Sequence, residues 1–369
     1  MKVDIITRHS VPNYGSLLQA YATQKIIEDM GFEAEIINYT RYDERYKNLV
    51  NSLLNGKKWN ENFMTRLIYK AIQIPNYSIM YRKFKDYRKN FLKESKIEYG
   101  NLNELQENIP IADVYCSGSD QIWGKIGKSE FDEAYFLKFV NDKNKKCIAY
   151  ASSFGKEKID KNLENKLHEL LKHYSQILVR EDTAKEILKR HGFNNVEQVL
   201  DPTLLLNREQ WEELANKGKN KYKKYILIYQ LHENKKFDRY AKEFSKKTGL
   251  KLLRISPSIY HIKRSGKMIY LPNQYEFLAL FKNAEYVLTD SFHATVFSII
   301  FNKKFIDVLP GVTSTRIISI LNLVGLQERI LRNYEDFSFI TKKIDFSSCN
   351  KQIEMERKKS IKMFKNAII

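Results

Sequence analysis

The sequence predicts an α/β protein of two successive Rossmann-like domains, the first carrying a helical insertion. Three observations point there. Outside residues 41–100, short apolar runs with strand character alternate with amphipathic helical stretches. Polar, glycine-containing segments follow several of those runs directly. The 369 residues also exceed what one ordinary hydrophobic core accommodates. The expected division is 1–205 as an N-terminal domain and 206–345 as a C-terminal one. Residues 346–369 form a final helix, with Ile361, Phe364 and Ile368 on one side, placed to pack across the joint.

Lys2 to Thr7 reads as a buried strand, Ser16 to Met30 as a helix ended by Gly31, and Ala34 to Tyr39 as a second strand. A right-handed crossover makes the two strands parallel. Between Arg41 and Gly100 helical spacing replaces the strand signal: Tyr81, Phe84, Tyr87 and Phe91 form an aromatic stripe, and Arg82, Lys83, Lys85, Arg88 and Lys89 occupy the other side. Strands resume at Ile111–Cys116, Lys146–Ala151, Gln176–Val179 and Val196–Leu200, with helices at Lys161–His173 and Glu181–His191. Asp201-Pro202 interrupts the pattern. In the second half, strands fall at Tyr225–Gln230, Lys251–Ile255, Met268–Tyr270, Tyr286–Thr289 and Phe305–Val308. Helices lie between them near Lys236–Lys247, Gln274–Lys282 and Ser291–Phe301. Two such domains imply a cleft, with ligands beyond the carboxyl ends of the strands.

The net charge of +19 is clustered: residues 41–100 hold fourteen Lys/Arg against six Asp/Glu, and residues 351–369 hold six against two. Such clusters attract a phosphorylated substrate, an anionic membrane face or nucleic acid; a lysine-rich composition also arises from genome bias alone. No helix-turn-helix or aromatic-basic single-strand platform is present, so nucleic acid is not expected as a partner. The aromatic stripe fits a helix packed on the sheet with its charged side in water, or one that touches the inner face of a membrane. The opening apolar run, broken by Asp4 and followed by Arg8, is too short for a signal peptide or a span. Cys116, Cys147 and Cys349 form no zinc spacing and cannot all pair, which suits a reducing compartment. The expected location is cytoplasmic, with no metal.

Four segments after strands carry candidate chemistry. Asn13, Tyr14 and Gly15 lie in a polar turn that feeds a helix, where glycine permits close approach and helix N–H groups face an anion; an ordinary turn is the plain alternative. Ser117, Gly118 and Ser119 can wrap a phosphate or carboxylate with main-chain donors, and Asp120 and Gln121 can orient a sugar hydroxyl. That loop lacks a Walker lysine and the three-glycine dinucleotide fingerprint, so ATP and NAD are not supported. Arg180, where a strand gives way to a helix, can grip two oxygens of a carboxylate or phosphate, or pair with Glu181, Asp182 or another acidic neighbour. Asp290, Ser291 and His293 end a strand and begin a strongly apolar helix, which puts His293 in a first turn that favours anions and where an imidazole can hand over a proton near neutral pH.

Taken in order, these segments resemble the polysaccharide pyruvyl transferase family. The resemblance runs through Asn13-Tyr14-Gly15-Ser16-Leu17-Leu18-Gln19-Ala20-Tyr21-Ala22, Gly118-Ser119-Asp120-Gln121-Ile122-Trp123 and Ala151-Ser152-Ser153-Phe154-Gly155. It continues through Val179-Arg180-Glu181-Asp182, Leu200-Asp201-Pro202-Thr203, Thr289-Asp290-Ser291-Phe292-His293 and Ser314-Thr315-Arg316-Ile317. It implies a GT-B-like fold, phosphoenolpyruvate as donor without a metal or further cofactor, and a sugar or lipid-linked oligosaccharide as acceptor. It makes His293 the general acid or base and Arg180 a donor-binding residue. Many members carry an arginine two residues before that histidine, where this chain has Ser291; Arg316 is the candidate to supply the lost charge. Ala294 stands where glycine is common. Two rivals remain open: a GT-B glycosyltransferase using a nucleotide sugar, and a non-enzymatic protein that binds an anionic surface.

Overall fold

Strands form where the apolar runs were continuous, because both faces of each sheet are covered and a two-sided strand needs no polar alternation. The computed structural model describes residues 1–54, 62–124, 131–311 and 314–369. The chain divides into two units: Met1–Pro202 with Lys362–Ile369, and Thr203–Ile361. Both are α/β, and every strand pairing within them is parallel.

The first unit begins β1 (Lys2–Ile6), α1 (Tyr14–Asp29), β2 (Glu33–Ile36), α2 (Tyr46–Leu54), α3 (Phe63–Lys89) and α4 (Leu102–Glu107). It continues β3 (Val114–Ser117), β4 (Lys146–Ser152), α5 (Lys161–Leu171), β5 (Gln176–Val179), α6 (Asp182–Arg190) and β6 (Val196–Gln198). Among the described residues the sheet order is β2-β1-β3-β4-β5-β6. Chain direction across the sheet reverses between β1 and β3, the switch point where open α/β sheets leave a crevice beyond their strand ends. Trp123, Phe136, Leu167 and Leu188 belong to the core beside this sheet. In the basic segment, α3 runs 27 residues through Pro75, and its Tyr69 joins Val50 and Leu54 of α2 in a small satellite cluster. Residues 55–61 of that segment lie outside the described residues.

One expectation for α3 needs correction. Arg88 does not share the solvated side with Arg82, Lys83, Lys85 and Lys89: it is buried, donates from Nη1 to Ser10 O at 2.9 Å and pairs through Nε with Glu94 at 2.8 Å. At 100° per residue it borders the stripe that contains Phe84, and Phe84 packs on Tyr14 of α1 with ring centroids 4.9 Å apart. That contact carries Arg88 inward with the stripe.

The second unit follows α7 (Pro202–Leu205), which begins at the unit boundary, with α8 (Arg208–Asn216), β7 (Tyr225–Tyr229), α9 (Lys235–Thr248), β8 (Lys251–Ser256), β9 (Lys267–Tyr270) and α10 (Gln274–Lys282). Then come β10 (Tyr286–Thr289), α11 (Phe292–Ile300), β11 (Lys304–Asp307), α12 (Thr315–Leu323) and α13 (Phe346–Ile368). Strand order is β11-β10-β7-β8-β9. Here the switch point lies between β7 and β10. Capping boxes start α8 (Asn207 with Gln210) and α10 (Asn273 with Glu276). Trp211, Phe277, Phe281 and Phe297 meet edge-on or tilted in the core. Near the C-terminus, Phe364 stacks on Tyr150 of the first unit at 3.9 Å, within the stretch that folds with that unit. Among the described residues no helix is long and apolar enough to cross a membrane.

Candidate functional site

Each unit brings sequence-predicted residues to its own switch point. In the first, α1 starts where it does because Asn13 Oδ1 accepts from Gly15 N at 2.8 Å and from Ser16 N at 3.3 Å. Asn13 and Gly15 therefore form a helix cap, and Tyr14 is buried against Phe84. The loop after β3 is held as tightly. Ser117 Oγ donates to Tyr135 O at 2.8 Å, and Ser119 Oγ donates to Asp201 Oδ2 at 3.0 Å. Gly118 is closely packed: a Cβ would come to 3.0 Å from Thr7 Cβ and 3.1 Å from Ile5 Cγ2, so both side chains would have to give way slightly.

Asp120 adopts φ +84°, in the left-handed region that a non-glycine residue occupies only under local constraint. The constraint is visible. Its carboxylate accepts from Ser16 Oγ and from Gln121 N, both at 2.8 Å, while its carbonyl accepts from Ile122 N at 2.8 Å and Ser153 N at 3.1 Å. Asp120 thus ties the β3 loop to α1 and to the end of β4. The Gln121 side chain packs over Gly155, where a Cβ would lie 2.1 Å from Nε2.

Arg180, after β5, is buried with its side chain 2% exposed among three carboxylates. Nη1 donates to Asp201 Oδ2 at 2.9 Å and to Ser119 Oγ at 3.3 Å; Asp120 lies 3.7 Å from Nη2, and Glu181 lies 3.8 Å from Nε. Burial works against the charged guanidinium, but Asp201, Asp120 and Glu181 overcome it and hold the group more firmly protonated than usual. Glu181 is fastened in turn, accepting from Ser153 Oγ at 2.7 Å and Gly155 N at 3.2 Å. The charge of Arg180 is therefore already answered inside its own unit.

At the second switch point Asp290 reaches across from β10 to the loop after β7. Its carboxylate accepts from Leu231 N at 2.7 Å and His232 N at 2.9 Å, and His232 Nδ1 lies 3.2 Å away. Thr289 Oγ1 donates to Tyr229 O at 2.6 Å and accepts from Ser291 N at 3.0 Å, so the turn into α11 is fixed from both strands. Ser291 is the N-cap of α11, yet its hydroxyl makes no capping hydrogen bond. His293 follows in the first turn, buried, its ring 5.1 Å from that of Phe292. The Arg316 guanidinium, half-buried at the start of α12, stands over the same Phe292 ring at 5.6 Å. Asp290, Ser291, His293 and Arg316 are thus neighbours of one helix start, where the aligned peptide dipoles and first-turn N–H groups favour negative charge.

Sequence reading missed several participants. Asp201 registered as a break before Pro202 and as part of a resemblance motif, but not as the partner of Arg180, to which it is bound most closely. His232 and Asp307 carried no signal. Asp307, at the end of β11, is fully buried; Thr295 Oγ1 lies 2.7 Å from its Oδ1. Burial pushes its carboxyl up to about 8, opposed by the Thr295 hydrogen bond, assisted by the charge of Asp290 and opposed by that of Arg329. No group of three or more His, Cys, Asp or Glu among the described residues is arranged to hold a metal ion.

Two parallel α/β units, each with its own switch point, fit a two-domain Rossmann-like fold of the GT-B type. The chain belongs to the polysaccharide pyruvyl transferase family, whose model matches residues 13–309. Among solved structures it is similar to the UDP-GlcNAc 2-epimerase of Methanocaldococcus jannaschii in complex with UDP-GlcNAc and UDP, at 17% identity and TM-score 0.50, over 96% of this chain and 92% of that one. A putative UDP-N-acetylglucosamine 2-epimerase from Listeria monocytogenes has 11% identity and TM-score 0.50, over 97% and 90%. AviGT4, a glycosyltransferase involved in avilamycin A biosynthesis, has 10% identity and TM-score 0.50, over 100% and 97%. At these identities the likeness is one of fold. No curated protein matches the chain.

Proposed function

We propose that the protein transfers the pyruvyl unit of phosphoenolpyruvate to a sugar of a cell-surface glycan or of its lipid-linked precursor, closing a cyclic ketal. The observation that carries this reading is His293 in the first turn of α11, with an uncapped Ser291 before it and Arg316 over the adjoining Phe292 ring. Family membership supplies the reaction class. The donor is a small anion with a carboxylate and a phosphate, so it needs cationic and N–H-rich surroundings, which the start of α11 and Arg316 supply in this proposal. Arg180, surrounded by carboxylates, becomes a positioning residue that holds the loops after β3, β4 and β5.

His293, protonated, gives its proton to the methylene carbon of phosphoenolpyruvate, which makes C2 electrophilic. A sugar hydroxyl adds to C2, and its proton returns to the imidazole. A second hydroxyl of the same sugar then attacks C2, its proton departing with the phosphate as the C–O bond to phosphate breaks. The products are a pyruvate ketal and inorganic phosphate. The chemistry needs no further cofactor.

The test is phosphate release from phosphoenolpyruvate in the presence of lipid-linked oligosaccharides, with products read by mass spectrometry. His293→Ala should lower turnover by at least about 100-fold while melting as the parent does. Undiminished turnover in that variant removes His293 from the mechanism. Saturable thermal protection by UDP or GDP sugars, with none by phosphoenolpyruvate, would replace the donor altogether.

A further inference from the structure

Helix α3 is turned the opposite way from an ordinary packed amphipathic helix. Tyr69, Asn76 and Met80 mark its buried face. On the far half of the circumference, taken at 100° per residue, stand Phe63, Met64, Leu67, Ile68, Ile72 and Ile79. All are exposed, Phe63 by 66% and Met64 by 60%. An outward apolar surface about 25 Å long covers nothing within the described residues of its unit, and patches of that kind mark interaction sites.

Beyond Met80 the outward face changes character to Arg82, Lys83, Lys85 and Lys89, all exposed. The whole helix contains one acid, Asp86, against seven Lys/Arg. Below this end a cavity of about 440 Å³ is lined by Ser10, Arg45, Arg82, Lys85, Arg88 and Glu98 among others. Arg45 is answered by Glu98 at 3.5 Å and Arg88 by Glu94 at 2.8 Å. Among the described residues no carboxylate lies within 4.0 Å of Arg82 or Lys85.

We propose that α3 is a docking surface for an anionic lipid bilayer. Its first seventeen residues enter the boundary between headgroups and acyl chains, and its cationic end and the cavity beneath receive lipid phosphates. A bilayer offers hydrocarbon and phosphate side by side, the same order in which α3 presents apolar and cationic residues. A second copy of the chain fits poorly. Parallel pairing sets the lysines of both copies against one another, and antiparallel pairing lays cations on apolar surface. The surface goes beyond the reaction assigned to His293 and does not depend on it.

The experiment is co-sedimentation of the full chain with vesicles of phosphatidylcholine, alone or mixed with phosphatidylglycerol. Binding should be at least about tenfold stronger to the anionic vesicles and should weaken with salt. The triple variant Phe63→Ser, Leu67→Ser, Ile68→Ser, all at exposed positions, should lose at least about tenfold with an unchanged melting temperature. Arg82→Ser with Lys85→Ser should lose about fivefold per cation. Absence of binding by the parent chain, or equal binding by the triple variant, overturns the proposal. So does a dimer in solution that dissociates in the triple variant while neither protein binds vesicles, because that result assigns the face to a second copy.

Discussion

The two units share one architecture yet spend their charge differently at the strand ends. In the first, the polar residues are interlocked: Arg180 meets Asp201, Asp120, Glu181 and Ser119, and Glu181 is bound again by Ser153 and Gly155. In the second, Asp290 clamps the loop after β7, but Arg316 is positioned over an aromatic ring and His293 sits in the opening turn of a helix whose cap hydroxyl is not engaged. A buried ion network fixes geometry at the cost of availability, because its charges are already compensated. A helix start beside a half-buried arginine keeps its electrostatic preference for an incoming anion. The same fold therefore places an interlocked ion network at one switch point and the helix start to which we assign the chemistry at the other, and under that proposal substitutions at the two should separate stability from activity.

The loss of turnover expected for His293→Ala is the largest of these effects and should leave the melting temperature in place. Arg180→Met should do the reverse in emphasis. It leaves three buried carboxylates without their cation, so the expected cost is about 3–5 kcal/mol of folding stability, read by denaturant unfolding. Combining it with Asp201→Asn should recover part of the loss, since the two groups are coupled. A fully stable Arg180→Met protein would break the comparison, because the network would then hold nothing together.

Arg316→Ala sharpens the contrast from the other side. Its ring contact contributes on the order of 0.5–1 kcal/mol, and a half-buried arginine outside a carboxylate network of the Arg180 kind should cost less stability on removal than Arg180 does. If Arg316 holds one of the donor's charged groups, the KM for phosphoenolpyruvate should rise about tenfold or more with a smaller change in kcat. A large fall in melting temperature with an unaltered KM would make Arg316 a structural residue like Arg180.

How far the sequence revealed these roles depended on whether the relevant contact was local. Gln176–Val179, Tyr286–Thr289 and Gln274–Lys282 form the elements that their patterns predicted, because apolar runs and flanking caps are encoded within a few residues. The second strand stops at Ile36 rather than Tyr39: Ile36 already makes an isolated bridge to Glu94, and beyond it Tyr39 bridges Tyr99 instead of continuing the sheet. Helix α8 escaped notice although Asn207 and Gln210 write its capping box plainly. The placement of His293 in the first turn of a helix was legible because a strand end, a polar turn and an apolar helix are contiguous in sequence. The partner of Arg180 was not: Asp201 lies one strand further on, brought close by the β5–β6 neighbourhood, whereas sequence proximity drew attention to Glu181 and Asp182. The inward turn of Arg88 and the outward turn of Phe63 and Leu67 are likewise tertiary facts, invisible to a two-sided helical pattern.

The remaining expected effect, visible only as a dependence on pH, concerns Asp307, behind the helix that carries His293. Thr295 Oγ1 lies 2.7 Å from Asp307 Oδ1 and 3.1 Å from Ser291 O. Thr295 Oγ1 is the donor toward both oxygens, and its hydrogen bond only partly offsets the burial that pushes the Asp307 carboxyl up to about 8. A carboxyl whose folded value is raised keeps its proton longer in the folded state, so folding binds protons between roughly pH 4 and pH 8 and stability from this group falls as pH rises through that window. Asp307→Asn keeps a carbonyl oxygen to accept from Thr295 without the ionisation. It should match the parent near pH 3.5 and become progressively the more stable of the two until about pH 8, as followed by denaturant midpoints across the range. Parallel pH curves for the two proteins would mean that Asp307 ionises as freely folded as unfolded, and that the base of α11 is less sheltered than its burial indicates.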